Sequence, residues 1–226
     1  MTKLSKRKDL NVFYLILLIG LIIAIYLFFK GFKYPEKASN IWFLGIQVVL
    51  GMIISCLPFG LEALFKFKAP IALKNLYWLF ILFAVSLGTG LSFYGKFFYW
   101  DKFLHFSSAM LLATLGLGIL SLLMPKFQHL SVGTIVLFGF FFAMTMGVFW
   151  EFYEFTFDGL LGLNMQRFAT SSGKDLVGRA VLMDTMGDLF TNTAGAIVFS
   201  VVCFIKGKQS PEWLQLFAFT PKQKNN

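Results

Sequence analysis

Six apolar runs dominate this sequence, at 11–29, 41–57, 76–93, 103–124, 131–150 and 181–205. Each is about long enough to cross roughly 30 Å of hydrocarbon as an α-helix. In lipid no water meets an exposed peptide group, so a spanning segment must satisfy its own backbone, and a helix does so within one run. The fold expected is therefore all-α, a polytopic membrane helix bundle of about six transmembrane helices. It is expected to be a single transmembrane domain over 1–226.

Composition supports the same class. Of 226 residues, 58% are hydrophobic and 14% are charged, against about 25% charged in an ordinary soluble domain. The 30 phenylalanines exceed what a soluble core of this size would hold, and lipid is the apolar surface they are expected to face. At about 20 residues per span, six spans take just over half the chain and leave short loops.

The net charge of +9 comes from basic residues scattered over loops and tails, with no stripe of the kind that nucleic acid requires. The expected partners are membrane lipids, with headgroups attracted to the flanking charge, and no nucleic acid. Oligomeric state is not legible. The two cysteines, Cys56 and Cys203, sit inside apolar runs and read as helix packing. Lys3, Lys6, Arg7 and Lys8 precede the first run, but the run is long for a signal peptide and no small-residue cleavage site follows. It reads as a retained first helix.

Orientation follows from the basic residues in the loops. With a cytoplasmic amino terminus, twelve Lys and Arg fall inside, including Lys222 and Lys224, and eight fall outside. Both termini are expected in the cytoplasm, in a cell membrane. The stretch 59–68, with Glu62, is expected to lie as a short amphipathic segment at the inner surface. The segment 160–180 is the longest connection between spans. Its Thr170-Ser171-Ser172-Gly173-Lys174-Asp175 core is rich in turn formers but lacks the pattern of a phosphate loop.

Ionisable residues in a span cost about 2.5–3.5 kcal/mol each at the helix centre on insertion scales, so they default to function. Three clusters qualify. Asp101 and His105 are four apart at the opening of the fourth span and share a face. The bland alternative is a helix cap beside an interfacial histidine. Glu151, Glu154 and Asp158 form one stripe at the end of the fifth span, and three acids without a base need a cation or shared protons. The alternative there is a helix that leaves the bilayer with a wet acidic face. Asp184, Asp188 and Asn192 follow at i, i+4 and i+8 in the sixth span, ahead of Gly195 and Ala196, which permit close helix approach. Here the alternative leaves both aspartates outside the membrane. With six spans, all three clusters emerge at one membrane face, whichever way the chain is oriented.

Two elements and an acidic position resemble a known family. Asp101-Lys102-Phe103-Leu104-His105-Phe106 resembles the DKxxHF element of the VanZ-like membrane proteins, and Glu151 or Glu154 resembles their acidic residue at the end of a later span. The stretch from Asp184 to Ala196 reads DTxxDxxxNxxGA and is similar to their final signature. The doubled glutamate looks closest to the uncharacterised YjdF-like bacterial inner-membrane branch. The resemblance covers about 101–196 and implies a bacterial cytoplasmic-membrane protein with work in the cell envelope. Glu151 is not followed by the Gln usual in VanZ members, so glycopeptide resistance is not implied.

These readings give a site hypothesis. Asp101, His105 and Glu154 are the candidate catalytic residues, through acid–base chemistry. Glu151, Asp184 and Asp188 are the candidate ligands of a divalent cation such as magnesium, which takes oxygen ligands. Lys102, Arg167, Arg179 and Asn192 are the candidate substrate contacts, the three basic residues also being candidate counter-charges to the acids. The expected function is action on a lipid or lipid-linked precursor. The alternatives are a non-enzymatic site for a cation or proton, and polar residues that only hold helices together.

Overall fold

The computed structural model describes residues 10–170 and 172–221. Lys3, Lys6, Arg7, Lys8, Lys222 and Lys224, on which part of the orientation rests, lie outside the described residues, as does Ser171. The fold is all-α, and among the described residues six helices are long and apolar enough to cross a membrane. Two compact units are described in turn, one built from the chain up to Trp100 together with its end from Leu216, the other Asp101–Gln215.

The first unit opens with α1 (Asn11–Lys33). It carries no charge before Lys30, and Lys30 and Lys33 lie in its last turn, where a cation complements the helix dipole. Helix α2 (Ala38–Ile54) packs on α1 through Ile23, Ala24, Leu27, Ile41 and Val48. After a turn at Ser55 and Cys56 the chain re-enters a helix, α3 (Leu57–Leu64), with Pro58 in its first turn. There the missing N–H costs nothing, so the proline starts a helix as readily as it ends one. The carbonyls left open at the end of α2 take side-chain donors from α4 (Ile71–Ile81). The Tyr77 hydroxyl donates to the Ile54 carbonyl at 2.8 Å and Trp78 Nε1 to the Ser55 carbonyl at 2.9 Å.

Glu62 on α3 does not face outward. It is buried, pairs with Lys74 at 2.9 Å and accepts the Ala69 amide at 3.0 Å. Cys56 is exposed at the start of α3, while Cys203 is packed as expected. Helix α4 continues as a nine-residue π-helix, Leu82–Gly90, a form met far more often as a single turn. Two short strands, β1 (Phe67–Lys68) and β2 (Thr220–Pro221), pair antiparallel, and the Phe67 and Phe219 rings stack 4.7 Å apart.

The second unit holds α5, α6 and α7. Helix α5 (Trp100–Leu123) begins with Asp101 in its first turn, the end of the dipole that favours an acid. Helix α6 (Val132–Leu161) is capped by Ser131, which accepts the Thr134 amide at 3.1 Å. It ends at Gly162 in the left-handed conformation that glycine adopts freely. The expected span stopped at Trp150, but nothing breaks the helix until Gly162, so Glu151, Glu154 and Asp158 all lie on it. Their side chains are buried rather than forming a wet face. A 3₁₀ turn (Gly178–Leu182) leads into α7 (Met183–Gln209).

Small residues bring these helices together, as packing in lipid favours. Gly195 lies directly against the Phe106 carbonyl of α5, and Ala109 and Ala196 are fully buried. Gly116 and Gly139 do the same between α5 and α6, against Phe142 and Leu117. Large apolar side chains such as Leu137, Phe141, Phe149, Val201 and Ile205 point outward, the arrangement expected of helices bathed in acyl chains.

Candidate functional site

The first turns of α5 and α7 meet the last turns of α6, and the three acidic clusters converge there. Lys102 is the hub. Its ammonium lies 2.6 Å from Asp184 Oδ1, 2.8 Å from Asp188 Oδ1, 3.3 Å from the Asp184 carbonyl and 3.5 Å from Asp101 Oδ2. Gly187, between the two aspartates on α7, leaves room for its stem: a Cβ there would sit 3.1 Å from Lys102 Cε. His105 is buried one turn below Asp101, with Nε2 3.4 Å from Asp188 Oδ1 and 3.9 Å from Asp101 Oδ1.

Arg167 comes from the loop after α6. That loop is pinned by Asp158, which accepts the Met165 amide at 2.7 Å and the Gln166 amide at 2.9 Å. Asn164 fastens it further by exchanging two hydrogen bonds with Ala169, at 2.7 and 3.0 Å. Arg167 itself has φ 48°, unusual for a side chain with a Cβ. Its guanidinium lies 3.4 Å from Asp101 Oδ2 and 3.8 Å from Asp184 Oδ1, and the side chain remains 39% exposed. It forms the open rim of an otherwise enclosed cluster.

The glutamates of α6 form the other flank. Glu154 accepts a hydrogen bond from Trp150 Nε1 at 2.9 Å. The Gln166 amide and the Thr185 hydroxyl, bonded to each other at 2.9 Å, border Glu151 together with Asp184. Both act on the Glu151 carboxylate as side-chain donors. Glu154 Oε2, Asp184 Oδ2 and Asp188 Oδ2 are buried and without a partner. Buried carboxylate oxygens in this state are costly, and each calls for a cation, a proton or a water.

Most of the residues expected from the sequence therefore meet. Asp101, Lys102, His105, Arg167, Asp184 and Asp188 share direct contacts, and Glu151 and Glu154 adjoin them. Two expected substrate contacts stand apart. Arg179 is exposed on the turn before α7, with no ion pair to the cluster among the described residues. Asn192 is buried a turn deeper than Asp188, where it donates to the Ala143 carbonyl at 3.5 Å and ties α7 to α6. Asp101, His105 and Asp188 each offer a ligand atom within 4.8 Å of the others. Sequence reasoning did not single out Gln166, which lies in an irregular loop without periodicity.

Residues 13–209 match the family described as predicted membrane protein (DUF2238). The chain belongs to that family. It is also 32% identical over 120 residues to an uncharacterized protein of Thermotoga maritima, a match covering 53% of this chain and 55% of that protein. The chain thus matches about half the length of this curated relative. No solved structure matches. All six long helices fall within or overlap the matched stretch, and so does every residue of the cluster.

Proposed function

We propose that this protein is a catalyst of the bacterial cell envelope, one transmembrane domain that acts on a lipid or lipid-linked precursor at one face of the cell membrane. One observation carries the reading: a buried imidazole, His105, stands between the carboxylates of Asp101 and Asp188. An imidazole held between two carboxylates is oriented for proton transfer, the task of a general acid or base. Asp101 and Asp188 orient it, and Glu154 is the second proton-carrying group. Arg167, half out of the cluster, faces the side from which an anionic headgroup would arrive. The order of the motifs further supports kinship with the VanZ-like superfamily and its YjdF-like branch, with both termini in the cytoplasm.

The test uses the full chain in nanodiscs containing phosphatidylglycerol, phosphatidic acid and a polyprenyl diphosphate, with products followed by mass spectrometry. Turnover of one of these lipids that is lost in His105→Gln, at unchanged melting temperature, is the expected result. Equal product, or none, from wild type and variant counts against the reading.

A second reading rests on Lys102, whose contacts with Asp184 and Asp188 would serve a purely structural role equally well. Hydrogen bonds between helices in membranes average under about 1 kcal/mol, a small return for so many buried charges. In that case His105→Gln lowers stability and changes nothing else.

A further inference from the structure

Within the first unit, a groove of about 290 Å³ opens at the end of α1, lined by Tyr26, Phe29, Lys30, Lys33 and Tyr34. The helix stops at Lys33, and Tyr34 leaves the helical conformation, so it lines the groove from beyond the helix end. The buried side of this turn is anchored. Gly31 lies directly against the Trp42 indole of α2, whose Nε1 donates to the Phe28 carbonyl at 3.2 Å. The groove is therefore built on a fixed end of the helix.

Its cations have no counter-charge of their own. The Lys30 ammonium rests 5.7 Å from the centre of the Tyr26 ring, and the Lys33 ammonium 5.6 Å from that of Tyr34. Neither lysine has an ion pair among the described residues. The carboxyl end of a helix offers about half a negative charge, well short of two ammonium groups. Three lysines against Glu36 leave a net charge of +2 over Lys30–Lys37. Ammonium groups and phenol hydroxyls side by side are donors suited to the oxygens of a phosphate.

The same face of α1 is apolar and bare on the bilayer side of the groove. Leu18, Ile22, Ile25 and Phe29 recur at helical spacing and are between 47% and 71% exposed. At 1.5 Å per residue this stripe runs about 16 Å, close to half of the roughly 30 Å of hydrocarbon in a bilayer. It has the length of one leaflet and ends at the two lysines. We infer that this face of α1 binds one anionic phospholipid, with its phosphate between Lys30 and Lys33 and an acyl chain along Leu18–Phe29. A soluble phosphate would use the lysines and leave the stripe idle. The lipid is a resident of the helix and not a substrate, so the inference stands apart from the acid–base reading above and needs neither His105 nor turnover.

The test is native mass spectrometry of the full chain, released from detergent after titration with phosphatidylglycerol or phosphatidylcholine. Wild type should retain one phosphatidylglycerol per chain at collision energies that strip phosphatidylcholine. Lys30→Gln combined with Lys33→Gln should cut that retention about tenfold or more, and each single variant should show part of the loss. Lys206→Gln combined with Lys208→Gln removes the same charge at the end of α7 and should bind as wild type does. Melting temperatures report folding throughout. Equal retention of the two lipids by wild type overturns the inference. So does a loss of equal size in the two double variants, the outcome for lysines that only snorkel to the bilayer surface. Displacement of the lipid by an equal concentration of glycerol 3-phosphate overturns it as well, since the site would then be one for a soluble phosphate.

Discussion

The Lys102 ammonium and Asp188 Oδ1 lie 2.8 Å apart, although 86 positions separate them in the chain. The contact closes α5 onto α7 inside a membrane-spanning pair. Removing the cation leaves buried Asp184 with only the longer Arg167 contact and buried Asp188 with only His105, so Lys102→Met should destabilise the protein by about 3–5 kcal/mol. Combining it with Asp184→Asn and Asp188→Asn should restore part of that loss. Unfolding in mixed micelles with rising denaturing detergent measures both, and a triple variant no better than the single one would contradict the pairing.

Asp158 holds two backbone amides of the loop that carries Arg167. Asp158→Ala strands both, at about 1–3 kcal/mol for each buried group left without a partner. The effect should be local. Hydrogen exchange at 163–168 should accelerate while the middles of α5 and α7 keep their protection. Uniform acceleration across the second unit would assign Asp158 a global role instead.

Gly195 meets the Phe106 carbonyl with no room for a methyl group. Gly195→Ala should force α7 away from α5 and cost about 1–3 kcal/mol. Gly147→Ala should push on the Asn192 amide, 2.5 Å from the added carbon, with a smaller loss because a side chain yields more readily than backbone. Gly60, in α3, has nothing within 4 Å of an added Cβ. Gly60→Ala should stabilise by about 0.4–1 kcal/mol, through the unfolded chain. Thermal inactivation half-lives of the three variants give the ranking, and a damaging Gly60→Ala would refute it.

Glu62 and Lys74 pair at 2.9 Å with both side chains largely buried. Glu62→Gln leaves the lysine without its counter-charge and should cost several kcal/mol, in the range of about 3–5 for a broken buried pair. The Ala69 amide retains an acceptor in the glutamine oxygen. Lys74→Met in the same background should recover stability. Cysteine accessibility at Ser55 in the first unit, mapped as Ser55→Cys, should rise in Glu62→Gln and return in the double variant.

The helices were legible because charge is so sparse that apolar runs delimit themselves. The end of α6 was not. Glu151 and Glu154 look like a membrane boundary when hydropathy is read along the chain, yet both face inward, and only Gly162 stops the helix. The convergence of Asp101, His105, Asp184 and Asp188 could be anticipated from helix parity. Lys102 was a candidate counter-charge, and it does turn back onto the aspartates, although a lysine at a helix end more often reaches for headgroups. Gln166 and Arg167 lie in an irregular loop where no period exists to assign a direction. Asn192 was expected as a substrate contact, but its partner is a backbone carbonyl of α6, which leaves no trace in a sequence.

The π-helical stretch Leu82–Gly90 bears on how the third span presents itself to its surroundings. Hydrogen bonds that reach five residues back, as from the Leu91 amide to the Ser86 carbonyl at 3.2 Å, widen each turn and slow the angular advance of successive side chains. Residues beyond Leu82 therefore drift steadily out of phase with those of Ile71–Ile81. A wheel drawn at 3.6 residues per turn would assign the wrong stripe to the acyl chains in the latter half of this span, and labelling scans or designed substitutions there should be laid out on the wider spiral.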